Sequence, residues 1–287
     1  MKKEDTYIWY VFLAPTILGI IFFMLYPIIE SFRLGFFQSN GTMETFIGLR
    51  NYVRIFQDAN FWKSVTNTLY LGFFKLLIII PSGFVIAYLI NNIKFGQNLF
   101  KVLFFIPYVT SIIAAAMLFS MVYHPTKGLL NGILTMLHLP TCVWLLKPTS
   151  ARWATILLTV WHTLGFIIVI CIANLQVIPK ELYEAAEIDG AKESQHFRLI
   201  TIPQMKKCFA FLFVMGWIDA FKIFAETNIF GGGQGSPARS LLSLVGYVYE
   251  RGIGGGEYGY ASAAAYVLFL FILLLTMVNL KISKLNK

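Results

Sequence analysis

The sequence predicts an all-α integral membrane protein with six transmembrane helices, and three observations carry that prediction. Of 287 residues, 57% are hydrophobic and only 13% are charged, about half the charged share of a soluble domain. No acid occurs between Asp58 and Glu181, a gap that water-exposed surface rarely leaves. Six segments reach the roughly twenty mostly apolar residues that a helix needs to cross a hydrocarbon core about 30 Å thick. Helices are required because unpaired backbone groups are intolerable in lipid, and the period-two alternation of a transmembrane barrel is absent.

The six expected spans run Ile8–Ile29, Thr66–Ile90, Leu99–Tyr123, Trp153–Leu175, Cys208–Phe230 and Gly259–Leu280. The first follows Met1-Lys2-Lys3-Glu4-Asp5 and exceeds the roughly 7–15 apolar residues of a signal peptide, so it reads as a retained anchor. Pro15, Pro27, Pro81 and Pro107 lie in or near spans and predict kinks, or spans packed against other protein. Six spans place both termini on one side. Lys2, Lys3, Lys94, Lys101, Lys180, Lys192, Arg198, Lys206, Lys207, Lys281, Lys284 and Lys287 fall on that side in short segments, against nine basic residues spread over three longer loops. The positive-inside criterion makes the terminal side cytoplasmic.

The exported loops, about 30–65, 124–152 and 231–258, are rich in Gly, Pro, Asn and Trp. They are expected to fold as short helices and turns over the membrane surface and to touch something outside. No repeat of about 20–50 residues and no symmetry between halves is visible, which argues against an inverted-repeat transporter. Net charge is +9, yet the basic residues are scattered between apolar runs and form no nucleic-acid stripe. An anionic bilayer surface explains them better. Cys142, Cys171 and Cys208 lack the spacing of a disulfide framework or zinc site and read as small buried hydrophobes.

One cytoplasmic stretch, Gln176 to Lys207, is far longer than a connector requires. Pro179 suits a first helical turn, and Glu181 and Glu184 favour the positive end of the helix dipole. A helix is expected there, ended by Gly190, which can take the left-handed conformation. A second helix is expected over Ala191 to Thr201, with Pro203 marking the return to the membrane. Lys180, Lys192, Arg198, Lys206 and Lys207 balance Glu181, Glu184, Glu187, Asp189 and Glu193. The product is a helix–turn–helix knob, either a solvated, salt-bridged loop or a surface that gains its missing packing from a protein partner.

Enzymatic chemistry is not written into the chain. Gly-Lys occurs nowhere, so there is no phosphate-cradling Walker loop, and Gly231–Gly235 reads as a flexible turn. His124, His138, His162 and His196 lack zinc-site spacing and read as loop or packing residues. Charges inside spans are few: Lys75 in the second, and Asp219, Lys222 and Glu226 in the fifth. The latter three lie at i, i+3 and i+7, the spacing of one helical face, with Trp217, Phe221 and Phe224 nearby. That face is either part of a polar solute path (Trp217, Asp219, Phe221, Lys222, Glu226) or a self-neutralised stripe packed against a partner. Lys75 either snorkels or pairs with Asp219 or Glu226.

The knob also carries a resemblance. Glu184-Ala185-Ala186, three residues, Gly190, nine residues, Ile200, one residue, then Ile202-Pro203 resembles the EAA loop of permease subunits in bacterial ABC importers, with Ile202 where Leu is usual. The extended run Leu175 to Ala191 is similar to the carbohydrate-uptake branch. Gly48-Leu49-Arg50-Asn51-Tyr52, Phe61-Trp62, Asn67-Thr68, Phe105-Ile106-Pro107-Tyr108, Gly128-Leu129-Leu130-Asn131, Phe230 to Pro237 and Gly259 to Ala263 agree with it.

The resemblance implies an ABC importer type I transmembrane domain. It divides the chain into an N-terminal span and first exported loop (1–64), a core (65–280) with the EAA coupling loop at 176–207, and a cytoplasmic tail (281–287). Glu184, Ala185, Ala186, Asp189, Gly190, Ile200 and Pro203 would couple to a separate ATPase. The chain itself would bind no cofactor, ATP and Mg sitting on that ATPase. Implied partners are a second permease in a heterodimer, two cytoplasmic ATPase subunits, an extracellular solute-binding protein, a carbohydrate and the bilayer, with no nucleic acid. An ion-coupled secondary transporter or channel using Asp219, Lys222 and Glu226 is the alternative, and a non-transporting scaffold the last.

Overall fold

The computed structural model describes the backbone of residues 3–93 and 95–285 and the side chains of residues 10–93 and 95–277. Lys2, Lys94 and Lys287, counted above toward orientation, lie outside the described residues, as do the side chains of Lys3, Lys281 and Lys284. In chain order the helices are α1 (Lys3–Ile20), α2 (Tyr26–Leu34), α3 (Arg50–Gln57), α4 (Ala59–Asn92), α5 (Gln97–Val109), α6 (Ile112–Val122), α7 (Leu129–Met136) and α8 (Pro148–Leu175). There follow α9 (Glu181–Ile188), α10 (Glu193–Gln195), α11 (Ile202–Gln204), α12 (Lys206–Phe221), α13 (Ala225–Gly231), α14 (Leu244–Tyr249) and α15 (Tyr258–Leu285). Two short strands, β1 (Phe37–Ser39) and β2 (Glu44–Phe46), form an antiparallel hairpin pairing Phe37 with Phe46 and Ser39 with Glu44. That hairpin corrects the expectation of helices and turns alone in the first exported loop.

Among the described residues four helices are long and apolar enough to cross a membrane, and up to six spans result if each of two bent pairs counts as one. The expected third span, Leu99–Tyr123, is not one helix: α5 and α6 diverge by 92°. Pro107 lies one turn before the break, where Thr110 adopts an extended conformation. The expected fifth span is broken too, since α12 stops at Phe221 and α13 begins at Ala225. Pro27 acts differently. A π-helical turn, Ile21–Leu25, precedes it, the widened geometry that makes room for a ring with no N–H to donate. Through Pro81 α4 stays continuous, and Ser82 Oγ donates to the Ile78 carbonyl at 2.6 Å.

Two compact units result, residues 1–61 with 248–270 and residues 62–247 with 271–287. In the first, the candidate span Tyr10–Leu34 has none of its most apolar window buried. It meets α15 toward its Leu34 end, where the Tyr266 hydroxyl donates to the Ile28 carbonyl and its ring stands edge-on to Phe32 at 5.0 Å. Buried Asn51 seats α3 by donating to the carbonyls of Gly35 and Phe37 at 3.0 and 2.9 Å. Arg251 and Asp58 pair at 2.5 Å, and Arg54 and Glu257 at 2.9 Å.

In the second unit the core forms where α4, α8 and α12 bury Ile79, Phe84, Ala87, Ile168, Cys171, Cys208 and Leu212 against one another. Close approach is bought with glycine. A Cβ on Gly165 of α8 would collide with the Phe104 carbonyl of α5, the small-residue contact that lets membrane helices touch. Buried asparagines tie down the segments between spans. Asn67 donates to the carbonyls of Arg239 and Leu242 and accepts from Arg152. Asn131 donates to the carbonyls of Pro125 and Cys142 and accepts from Cys142 N–H and Trp144 Nε1. Ser240 to Leu244 are almost fully buried, so the inner part of segment 231–258 does not lie over a surface as expected. The Gly231–Gly235 run is a turn held by bonds from Gly235 N to Gly232 O at 3.0 Å and from Ser236 N to Gly231 O at 2.6 Å.

Candidate functional site

Two constellations stand out, the knob and a polar cavity between the helices of the second unit. The knob starts where Pro179 and Lys180 supply carbonyls to the first turn of α9, with Glu181 and Glu184 at its positive end. Its end is a Schellman turn: Ala191 N–H bonds the Ala186 carbonyl at 2.9 Å and Gly190 N–H the Glu187 carbonyl at 3.0 Å. That geometry requires φ of +75° at Gly190. The second arm starts at Glu193, two residues later than expected. It passes through a π-helical turn, His196–Thr201, before α11, then bends by 57° into α12 at Met205, two residues after Pro203.

The arms differ in how they are held. Phe197 stacks on Phe84 at 5.5 Å and meets Tyr88 edge-on at 4.7 Å, fastening the second arm to α4. Thr201 and Met205 are fully buried there. One side-chain hydrogen bond, between the Tyr183 hydroxyl and Thr201 Oγ1 at 3.0 Å, straps the first arm to the second. Glu184, Ala185, Asp189 and Gly190 are exposed, Ala186 and Ile200 half-buried and Pro203 exposed. On α9, Leu182, Ala185 and Ile188 follow helical spacing on the open side, and Ile188 is 87% exposed. Among the described residues no ion pair joins any of the knob's charges, so it is not the salt-bridged loop of one reading.

The cavity, about 370 Å³, is lined by Lys75 of α4, Tyr108 and Ile112 at the α5–α6 break, Thr159, His162 and Thr163 of α8, Asp219 of α12, and Lys222 to Glu226. Lys75 Nζ donates to Asp219 Oδ2 at 2.5 Å. The Lys75 side chain is 7% exposed and that of Asp219 59%, so the lysine depends on this partner while the carboxylate also opens onto the cavity. His162 Nε2 donates to the Thr110 carbonyl at 3.1 Å, satisfying the backbone where α5 stops. Tyr108 stacks on Phe166 at 5.1 Å.

The expectation that Asp219, Lys222 and Glu226 share one continuous helical face is corrected. Lys222 caps α12, and Glu226 lies in the first turn of α13, yet all three border the cavity because the chain folds back across the break. Trp217 and Phe221 do not line it. Trp217 packs on Gly72 of α4, and both rings lie with Ile272, Leu275 and Thr276 of α15. Sequence reasoning missed Thr159, His162, Thr163 and Tyr108. The first three repeat at helical spacing on an otherwise apolar span, a polar stripe that would have revealed them.

The sequence matches the family model described as "Binding-protein-dependent transport system inner membrane component" over residues 79–284, a stretch holding the whole knob and every cavity residue except Lys75. The chain belongs to that family. The arabinooligosaccharides transport system permease protein AraP of Bacillus subtilis is 35% identical over 96% of this chain and 88% of its own. The trehalose/maltose transport system permease protein MalF of Thermococcus litoralis is 29% identical over 100% of this chain and 97% of its own. A crystal structure of a bacterial alginate ABC transporter in complex with an alginate pentasaccharide-bound periplasmic protein shares the fold. Its matching chain has a TM-score of 0.84 at 24% identity, covering 96% of this chain and 93% of that one.

Proposed function

We propose that this inner membrane component is the permease subunit of an ATP-driven importer for a sugar or oligosaccharide, working by alternating access beside a second permease. The uncovered face of α9 carries the reading. A helix of eight residues is marginal alone, and Leu182, Ala185 and Ile188 are left open. An ATPase subunit would supply the missing packing and would have to bind the knob differently in its two nucleotide states, or no motion would be transmitted. Glu184, Ala185, Ala186, Asp189, Gly190, Ile200 and Pro203 form the coupling segment. ATP and Mg are held by two ATPase subunits, and an exported solute-binding protein delivers the cargo. The bent pair α5–α6 counts as one span and α12, beginning beyond the knob, as another, which gives six spans and cytoplasmic termini, with a core at 65–280 after an N-terminal span and loop and before a short tail.

Asp219, Lys222 and Glu226 contribute to the solute path, and Trp217 and Phe221 support the α12 segment behind it. The names of the relatives AraP and MalF support a saccharide cargo. The test is reconstitution with the companion permease, ATPase and binding protein. Saccharide-loaded binding protein is expected to stimulate ATP hydrolysis and uptake, and this chain alone is expected to carry no flux. Flux through the chain alone, driven by an ion gradient, would overturn the proposal in favour of a secondary transporter.

A further inference from the structure

Helix α3, in the exported loop after the first span, has three sides of different character. Asn51 and Ile55 are buried and Tyr52 half-buried, packed toward Gly35 to Phe37. Arg50, Arg54 and Gln57, spaced i, i+4 and i+7, form an exposed polar side. Leu49 at the N-cap, Val53 and Phe56 repeat the same spacing one residue behind and are 64%, 55% and 50% exposed. A surface helix meeting only protein and water needs two sides. The third is apolar and at least half exposed even with Phe56 edge-on to Phe61 at 6.1 Å, and it calls for a third medium.

We infer that α3 lies in the outer membrane–water interface, with Leu49, Val53 and Phe56 immersed among lipid acyl chains and the arginine side turned to headgroups and water. Continuity within the same unit argues for lipid as the occupant. The inner side of α3 is bonded to residues 35 and 37, immediately beyond Leu34, where the fully uncovered candidate span ends. The helix therefore sits at the exit of a lipid-facing span, not at the tip of an outward projection. Phe46 and Met43 of the hairpin that precedes α3 are exposed as well. Arg50 has no acid partner among the described residues, which leaves it available to a lipid phosphate, while Arg54 is fixed by Glu257. An amphipathic helix with cationic flanks and aliphatic and aromatic residues on its apolar side is the composition that lies in an interface. The inference is independent of the cargo and of the coupling role.

The experiment is spin labelling of the full chain in its complex in lipid nanodiscs. Val53→Cys, Phe56→Cys and Gln57→Cys are each made in a Cys142→Ser background, Cys171 and Cys208 being buried. Collision rates with oxygen, which concentrates in lipid, and with a water-soluble nickel chelate are then measured. Labels at 53 and 56 are expected to meet the chelate about fivefold less often than the label at 57, and to meet oxygen more often. Equal chelate access at all three positions would overturn the inference. So would protection at 53 and 56 that appears only when binding protein is added, which would assign the surface to that protein.

Discussion

The knob and the cavity contain the same kinds of side chain and treat them in opposite ways. Ten charges decorate the knob without one ion pair among the described residues, whereas the four in the cavity include a lysine buried against a carboxylate at 2.5 Å. Solvent explains the contrast. An exposed pair contributes about 0–1 kcal/mol, so knob charges remain free for whatever docks there. Within a span an unpartnered charge costs about 2.5–3.5 kcal/mol, so Lys75 and Asp219 answer to each other first. Structure is spent inward at the cavity and left open at the knob.

The contrast yields tests in descending size. Gly165→Val drives a branched side chain into the Phe104 carbonyl and is expected to cost about 3 kcal/mol, read as loss of folded protein in a detergent melt. A normal melting curve would mean that the α5–α8 contact is looser than described. Next comes an asymmetry within the ion pair. Asp219→Asn strands a buried lysine and is expected to cost about 3 kcal/mol. Lys75→Met leaves a carboxylate already open to the cavity and is expected to cost about 1 kcal/mol. Equal losses would show that exposure does not govern the pair.

The knob should respond in function rather than in stability. Gly190→Val meets open space but must hold φ at +75°. A local strain of about 1–2 kcal/mol should leave membrane insertion intact and abolish ATP-driven uptake, and uptake at the normal rate would count against coupling through this turn. Smallest in stability is Ile188→Glu, within about 0.5 kcal/mol of the parent, because the side chain touches water on most sides. Its expected effect is weaker retention of the ATPase during purification, and undiminished retention would remove α9 as the docking face.

Apolar length made most of the fold legible in the sequence, because a helix in lipid must satisfy its backbone internally wherever twenty apolar residues occur. The knob was legible for the complementary reason: Pro179, the early carboxylates and Gly190 are local signals, and each acts within a turn of its own position. The two breaks were not. Nothing between Lys222 and Phe224 is a helix breaker, and Thr110 and Ser111 are only weakly so. The chain departs from helix there because neighbours compensate, as His162 does for the Thr110 carbonyl. Asn51, Asn67 and Asn131 were visible only as matches to relatives. Each holds backbone groups from another segment, 14 to 175 residues away in the chain for the first two, a role no local pattern encodes.

The interrupted helices bordering the cavity have one more implication. Where α5 halts and where α12 gives way to α13, the main chain leaves the regular helical ladder beside the space shared by Lys75, Tyr108 and Glu226, its groups taking shorter-range partners or, at Thr110, the His162 ring. Dipoles belonging to the main chain survive any substitution of side chains, and so the chamber would stay wettable were its lining exchanged. Evolution can then retune which molecule passes without having to rebuild a place for water.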